Sequence, residues 1–195
     1  MSAKFIVRCL FNLFLTHLPR CQRVKTWVLR KSGISVGTGV RTDSGVRFYG
    51  VGETVIGNNA WLAHHVTIQS GFRIMIGNNV EVNFGTLLLA NCGATLTIED
   101  NCHIAHNVSM KCSTMVVDPT LSSGAIVGGD QFLDITIGQG SWICAGAIIL
   151  PGVTLGKYNV VAAGAVVTKS SEAGVLLAGV PATVKKHYPI KKNVC

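Results

Sequence analysis

The phrase that decides the fold is IGNNAWLAHHVTI, residues 56–68. It opens with an aliphatic residue, a glycine, two polar residues and a small residue, and aliphatic positions follow at intervals of six. The same opening returns, with small variations, at Ile76, Ile98, Ile137 and Leu155. An α-helix requires apolar positions about 3.6 residues apart, and a lone strand alternates every two residues. The six-residue period therefore indicates a parallel β-helix built from hexapeptide repeats.

The spacing of these openings predicts where the chain leaves the repeat. Three hexapeptides make one turn of about 18 residues, but the openings lie 20, 22, 39 and 18 residues apart. Small insertions near residues 70–71 and 91–93 account for the first two intervals. The 39-residue interval holds about twenty residues beyond one turn, so we expect an extended loop at about 113–134. Long excursions from a rigid scaffold are usually functional.

The chain of 195 residues is predicted to be one all-β domain in three segments. Residues 34–186 form the β-helix, which ends in a short C-terminal cap, and residues 187–195 form a basic tail. Residues 1–33 form a basic amphipathic cap of short helices. Two interpretations of this cap stay open: it closes the end of the solenoid, or it anchors the protein on the inner face of a membrane.

The net charge of +8 is concentrated at the two ends of the chain. Residues 1–31 and 183–195 contain basic residues and no acid, whereas the repeats between them are mildly acidic. A nucleic-acid-binding protein would carry a basic face on its folded body, so we predict no nucleic-acid partner. The basic ends favour contact with phosphate, either on a lipid surface or on an anionic cofactor.

The seven cysteines are odd in number and include no Cys-x-x-Cys pair. This usage is typical of reduced thiols and predicts a cytoplasmic protein without a disulfide framework. No structural zinc spacing is present either, so we predict no metal.

Several large apolar side chains are predicted to point away from the coils, where they would form exposed patches on a monomer. They are Trp61, Phe72, Leu87, Leu89 and Trp142. A cyclic homotrimer, packed side against side, would cover them and would form clefts between its subunits.

The C-terminal repeats carry a set of motifs that resembles the hexapeptide-repeat acyltransferases. The motifs are IG at 137–138 with WI at 142–143, ILPGV at 149–153, GAVVTK at 164–169 and AGVPA at 178–182. They are most similar to the galactoside and maltose acetyltransferases and to the capsule and O-antigen O-acetyltransferases. The resemblance implies a left-handed parallel β-helix and an acetyl-CoA-dependent O-acetyltransferase. It also implies a sugar acceptor, in a bacterial capsule, exopolysaccharide, O-antigen or its precursor.

The resemblance further implies that acetyl-CoA lies in a groove between two subunits. Small side chains would line the pantetheine arm, and Lys186 would bind its phosphates as a point charge. The residues implied in cofactor binding are Trp142, Ala145, Ala163, Thr168, Lys169 and Lys186. Plain interface packing for Trp142 and a solvated tail for Lys186 remain as alternatives.

Asn83 and two histidines are the candidate catalytic residues. Asn83, in the sequence Val82-Asn83-Phe84, resembles an asparagine that holds the acceptor hydroxyl in sugar acetyltransferases, although asparagine is also common at turns. The same relatives carry their catalytic histidine in the long loop, at the position of Met115 or Val116 here, and this loop contains no histidine.

His106 is the predicted substitute, with His103 as a second candidate. His106 lies two places after the inward Ile104, as the base does in acyltransferases of lipid A synthesis and in nucleotide-sugar N-acetyltransferases. A histidine there could take the proton of the attacking hydroxyl, a role worth typically about 10²–10⁴-fold in rate. Three alternatives remain: solvated or packed histidines in a degenerate homologue, an N-acetyltransferase, and a zinc site such as that of β-helix carbonic anhydrases, whose histidine spacing does not match.

Overall fold

Two helices, α1 (Ala3–Phe14) and α2 (Gln22–Lys31), precede a stack of three-sided coils. The structure is a computed structural model that describes residues 3–14, 21–116 and 129–190. Within these ranges the chain forms six complete coils and a partial seventh, which begins with a bridge between Leu155 and Ser171. The predicted parallel β-helix is confirmed.

Each complete coil contributes one short strand to each of three parallel sheets. The first four coils contain β1 (Ser35–Val36), β2 (Arg41–Thr42), β3 (Arg47–Tyr49), β4 (Glu53–Ile56), β5 (Trp61–Leu62), β6 (Thr67–Ser70), β7 (Arg73–Ile76), β8 (Glu81–Val82), β9 (Leu87–Ala90), β10 (Thr95–Ile98), β11 (His103–Ile104) and β12 (Ser109–Lys111). A hairpin of β13 (Ser113–Met115) and β14 (Asp130–Phe132) follows. The last coils contain β15 (Ile135–Ile137), β16 (Trp142–Ile143), β17 (Ile148–Ile149), β18 (Thr154–Leu155), β19 (Val160–Val161), β20 (Val166–Val167), β21 (Val175–Gly179) and β22 (Ala182–His187).

The strands stack in strict register by coil. The first sheet has the order β1-β4-β7-β10-β15-β18, the second β2-β5-β8-β11-β16-β19-β21-β22, and the third β3-β6-β9-β12-β17-β20. Within these three sheets, all described pairs are parallel except that of β22 with β21, which is antiparallel. This C-terminal hairpin ends the second sheet, so the predicted C-terminal cap is made of strands.

The core is a column of aliphatic side chains that runs through the centre of the coils. In the second sheet Leu62, Val82, Ile104, Ile143 and Val161 follow one another in register, and all are buried. Burial of each such side chain contributes about 1.5–3 kcal/mol. The inward aliphatic of every hexapeptide therefore holds its coil to the next.

The two polar residues that follow the aliphatic and glycine of the repeat lie at the corner between the first and second sheets. Asn59, Asn79 and Asn101 have φ values of 56, 54 and 59°, in the left-handed region that asparagine tolerates better than most residues. They stack on one another, and Asn79 Nδ2 donates to Asn101 Oδ1 at 3.0 Å. Each asparagine thus both turns its own corner and ties that corner to the next coil.

The chain leaves the solenoid between β12 and β15. The two ends of the excursion are joined at the coil by a hydrogen bond from Leu133 N to Cys112 O at 3.0 Å. Beyond this bond, β13 and β14 pair antiparallel. The loop is therefore a hairpin at its base. Residues 117–128 lie outside the described residues. Met115 and Val116, where relatives would carry histidine, are exposed at the end of β13.

The two helices cover the open edge of the first coil with side-chain amides. Asn12 Nδ2 donates to Phe48 O at 2.8 Å, and Asn12 Oδ1 accepts from Phe48 N at 2.9 Å. Gln22 makes the same pair of bonds to the backbone of Thr42, at 2.9 and 3.0 Å. These amides bond to Phe48 and Thr42 as a neighbouring strand would, so they cover part of the edge that another chain could otherwise join. Neither described helix has the length and apolar content of a membrane span.

The predicted outward patches are only partly present. Phe72 and Trp142 are exposed, whereas Trp61, Leu87 and Leu89 alternate with buried residues, as outward positions do, but are half-buried. The indole of Trp61 lies under the Arg41 guanidinium at 5.2 Å and donates to Asp43 Oδ2 at 2.9 Å. Neighbouring outward side chains of the same and adjacent coils thus cover part of the apolar surface.

Candidate active site

The outer face of the second sheet carries a row of polar and aromatic side chains. Glu81, His103 and Trp142 occupy the same outward position on β8, β11 and β16, because Glu81 pairs with His103 and His103 with Trp142. Parallel strands lie about 4.8 Å apart, so neighbours in the row are within reach of one another. The fold therefore brings together residues that are far apart in the chain.

His103 is the centre of this cluster. Its Nδ1 lies 2.9 Å from Glu81 Oε2, and its Nε2 lies 3.5 Å from Asn83 Nδ2. Its ring meets the Trp142 indole edge to face, with centroids 6.5 Å apart at 77°. The His103 and Glu81 side chains keep 47% and 44% of their surface exposed, so a substrate could reach the imidazole.

The contact with Glu81 selects the tautomer of His103. A carboxylate can only accept a hydrogen bond, so Nδ1 of His103 carries the proton that it donates to Glu81. In the neutral ring Nε2 then holds a lone pair directed towards Asn83 and solvent. A histidine held by a carboxylate at one nitrogen and open at the other is the usual arrangement of a general base.

Asn83 is positioned by the corner that follows β8. Its backbone N–H donates to Ile104 O at 2.8 Å, and its side-chain Nδ2 reaches the same carbonyl at 3.2 Å. The amide is therefore held between the backbone of the next coil and the His103 ring. This placement suits a residue that orients a second molecule, and it brings together two of the three predicted catalytic residues.

His106 is not part of this cluster, although it follows β11 at the corner where Asn83 follows β8. It lies in a column with Phe84, Ala145 and Ala163, in which backbone bonds link Asn107 N to Phe84 O, Gly146 N to His106 O and Gly164 N to Ala145 O. The His106 side chain is exposed, and within the described residues it has no hydrogen-bond or ion-pair partner. Nothing there orients its ring, whereas His103 is held on two sides.

The predicted cofactor residues lie along two sides of the last coils. Ala145 and Ala163 are consecutive in the His106 column, and Thr168 and Lys169 follow β20 at the next corner. A cavity of about 340 Å³ between the loop hairpin and the third sheet extends to Thr168 and is also lined by Lys111. Lys186 lies on β22, exposed, with its ammonium 5.0 Å from the Tyr188 ring centroid. Of the predicted cofactor residues, only Thr168 lines this cavity, and the others lie on other parts of the surface of the last coils.

Glu81 is the site residue that sequence reasoning missed. It precedes His103 by 22 residues, which equals the interval between the openings at Ile76 and Ile98, and this shared interval was the available signal. In the described part of the chain, no group of three or more His, Cys, Asp or Glu side chains is placed to share a metal ion.

Comparison with known proteins agrees with the motifs. The family described as bacterial transferase hexapeptide (six repeats) matches residues 134–169. The galactoside O-acetyltransferase of Escherichia coli K12 is 36% identical over 144 residues, which cover 70% of this chain and 68% of that protein. The protein WbbJ of the same strain, named for lipopolysaccharide biosynthesis and O-acetyl transfer, is 28% identical over 189 residues, covering 93% of this chain and 88% of WbbJ.

A solved structure shows the same fold over nearly the whole chain. It is a hexapeptide-repeat acetyltransferase of Vibrio cholerae in complex with acetyl-CoA, which aligns with a TM-score of 0.69 at 19% identity and covers 95% of this chain and 87% of its own. The relatives and the matched repeats together confirm the resemblance predicted from the C-terminal motifs, and the chain belongs to the hexapeptide-repeat transferase family.

Proposed function

We propose that this protein transfers an acetyl group from acetyl-CoA to a hydroxyl of a sugar. The observation that carries the proposal is His103, held by Glu81 at 2.9 Å with its Nε2 open beside Asn83. Relatives named for galactoside and lipopolysaccharide O-acetylation support a sugar acceptor, and we propose a surface polysaccharide or its precursor as the biological substrate.

His103 is the base in this proposal, in place of His106. Asn83 orients the acceptor hydroxyl, which donates its proton to His103 Nε2 as its oxygen attacks the thioester carbonyl. The carbon–sulfur bond then breaks, the acetyl ester remains on the sugar, and the imidazolium returns the proton to the thiolate of coenzyme A. Such a base contributes typically about 10²–10⁴-fold. A backbone N–H at a coil corner is the simplest donor for the developing oxyanion.

The donor is acetyl-CoA, as in the bound complex of the Vibrio cholerae structure. The small side chains of Ala145 and Ala163 leave room for an extended pantetheine arm against the backbone. This column includes Phe84, the neighbour of Asn83 in the chain, and we place the thioester end of the arm there, beside the His103 cluster. Thr168, Lys169 and Lys186 would meet the nucleotide end, where the two ammonium groups favour phosphate.

The proposed assembly is a homotrimer with the site at its seams. Phe72 and Trp142 are exposed, and the half-exposed His103 cluster has room for groups from a neighbouring subunit. Light scattering on the purified protein should give three times the chain mass of 20.7 kDa. A fully active monomer would exclude a seam site.

The proposed location is the cytoplasm. The described cysteines Cys9, Cys21, Cys92, Cys102, Cys112 and Cys144 are all free, which is typical of a reducing compartment. A peripheral position at the inner membrane would bring the enzyme to lipid-linked sugars.

Release of free thiol from acetyl-CoA, measured with a panel of hydroxyl and amino sugars, tests the function. We expect turnover with hydroxyl acceptors and a fall in kcat/KM of about 10²–10⁴-fold in His103→Ala. The matched variant His106→Ala should change kcat/KM by less than about tenfold.

Each other result contradicts a defined part of the proposal. Acetylation of amino groups alone would make the protein an N-acetyltransferase. Binding of acetyl-CoA by calorimetry without transfer to any sugar would make it a degenerate homologue. A larger loss in His106→Ala than in His103→Ala would return the base to His106.

A further inference from the structure

The described side chains of helix α1, from Ile6 to Asn12, have an inverted polarity. A helix that covers a soluble protein normally buries its apolar stripe and exposes its polar face. Here the Arg8 side chain is 3% exposed and donates to the carbonyls of Gly50 and Gly52, and Asn12 faces the same coil. Ile6 and Leu10, one turn apart on the opposite side, are 44% and 48% exposed. Phe11 is the described apolar side chain of α1 that is fully buried.

Helix α2 repeats this pattern. Lys25 is buried, with its ammonium donating to Thr42 O at 3.0 Å, while Val24 and Trp27 face solvent. Trp27 is 59% exposed, and the Lys31 ammonium lies 5.9 Å from its ring centroid. Arg23 is also exposed on the outer side of the helix. Leu29 alone of the large apolar residues of α2 is fully buried.

The two helices pack against each other at the end of the solenoid, so their outer sides form one surface. We call this surface the cap face, and it consists of Ile6, Leu10, Arg23, Val24, Trp27 and Lys31. Apolar side chains occupy it together with two cations. The first 42 residues contain no acid, so no carboxylate within this part of the chain balances those cations.

We propose that the cap face binds the surface of an anionic lipid bilayer. Apolar side chains with an amphipathic tryptophan and flanking cations are the composition of helices that lie in the membrane interface, and anionic lipids attract such cations. A second copy docked face to face would bring Arg23 and Lys31 against their equivalents, and this like-charge contact disfavours a cap-to-cap dimer. The inference deepens the peripheral membrane position given under the proposed function and rests on it, and it concerns a surface that the reaction does not use.

This orientation would stand the solenoid upright on the bilayer. β2 lies against the cap, and β5, β8 and β11 follow it in the second sheet. At about 4.8 Å per strand, His103 would lie on the order of 15 Å above the first coil. A sugar attached to a lipid in the same bilayer could reach that height.

Co-sedimentation of the full-length protein with vesicles tests the inference. We expect binding to vesicles of phosphatidylcholine with about 30% phosphatidylglycerol, weakening as salt rises, and little binding to phosphatidylcholine alone. Trp27→Ser and the double variant Arg23→Gln, Lys31→Gln should each lower the partition coefficient about tenfold or more. Val180→Ser, which removes an exposed apolar side chain near the opposite end, should leave it unchanged.

Three results would overturn the proposal. One is absence of binding to the anionic vesicles. Another is an equal loss in Val180→Ser and Trp27→Ser. The third is a change in oligomeric mass in Trp27→Ser with unchanged vesicle binding, which would identify a second copy as the occupant. Activity on a soluble acceptor should be retained in the cap variants, so failure of the membrane proposal and failure of the proposed function are separable.

Discussion

The inner and outer faces of the coils follow opposite rules, and β11 shows both in two residues. Ile104 points inward, is buried, and stacks between Val82 and Ile143. His103 points outward and lies between Glu81 and Trp142. In the second sheet the inner face repeats an aliphatic side chain from the second coil to the sixth, whereas the outer face changes from coil to coil. Because the inner stack stabilises the fold, the outer positions are free to carry chemistry.

The largest expected effect is on the free energy of unfolding, which should fall when an inward side chain is truncated and not when an outward one is. Ile104→Ala should lower the free energy of unfolding by about 2–5 kcal/mol, because the deletion leaves a cavity between two coils. His103→Ala, in the adjacent residue, should change it by less than about 0.5 kcal/mol. Urea unfolding followed by circular dichroism measures both. Comparable losses in the two variants would mean that the outer row also holds the coils together.

The cysteines offer a second test of the same contrast. Burial raises the pKa of the Cys102 thiol to about 11 and that of Cys112 to about 12, while Cys9 and Cys92 are exposed. At pH 8 we expect the buried thiols to react with iodoacetamide at least about 100-fold more slowly, since the thiolate is the nucleophile. Peptide mass spectrometry over time measures this, and rapid labelling of Cys102 in the folded protein would contradict its inner position.

The raised pKa values of Cys102 and Cys112 predict that the folded protein becomes less stable as the pH rises above about 9. A thiol whose pKa is raised on folding contributes stability that is fully present below its unfolded pKa, near 9. That contribution falls as the pH rises towards 11 and 12. The midpoint of urea unfolding should therefore decrease above about pH 9, and replacing Cys102 and Cys112 together with alanine should reduce this decrease.

A smaller effect should follow from Glu81→Gln on the outer face. Glutamine keeps an acceptor for His103 Nδ1 but removes the charge that stabilises the imidazolium. We expect kcat to fall about 10- to 100-fold, less than the roughly 10⁴-fold loss known for a buried triad aspartate, because water screens an exposed pair. The KM for acetyl-CoA and the free energy of unfolding should stay unchanged.

Glu53→Gln is the matched control for that variant. Glu53 pairs with Arg73 at 2.7 Å on the outer side of the first sheet, away from the cluster, so its kcat should match that of the wild type. A fall of similar size in both variants would indicate a general effect of surface charge.

The smallest expected effect concerns Lys186, one of the residues predicted to bind the cofactor. Lys186→Ala should raise the KM for acetyl-CoA about two- to tenfold with little change in kcat, because one exposed ammonium contributes little to a phosphate contact in water. Lys157→Ala removes an exposed lysine of the corner between the first and second sheets and should change neither constant. Equal KM values for the wild type, Lys186→Ala and Lys157→Ala would show that Lys186 does not contribute to binding of acetyl-CoA.

Much of the fold could be predicted from the residues because each hexapeptide contains both the inward side chain and the corner residue that its own strand and turn require. Ile76 gives the inward position and Asn79 the corner with positive φ, and neither depends on distant parts of the chain. The 39-residue interval located the loop for the same reason. The resemblance also pointed to Asn83 and Trp142, which the fold places on either side of His103.

The choice between the two histidines could not be predicted in this way. Counting places His103 on an outward face and His106 at a corner, and the 22-residue interval places Glu81 one coil before His103, but counting does not give the distance between their side chains. Glu81 reaches His103 because β8 and β11 stack in register, while the insertion near residues 91–93 lies between β9 and β10. The polarity of α1 was equally hidden, since its amphipathic pattern does not tell which side meets the coil.

The sequence by itself determined the period, the inward column and the corners, because these depend on contacts within about six residues and on side chains that repeat. Only the tertiary structure decided which outward side chains meet. It decided that Glu81 holds His103, that His106 has no hydrogen-bond or ion-pair partner among the described residues, and that α1 turns Arg8 and Asn12 inward. Those outcomes depend on pairs of groups a whole coil or more apart, where the exact stacking of backbone on backbone sets the distance.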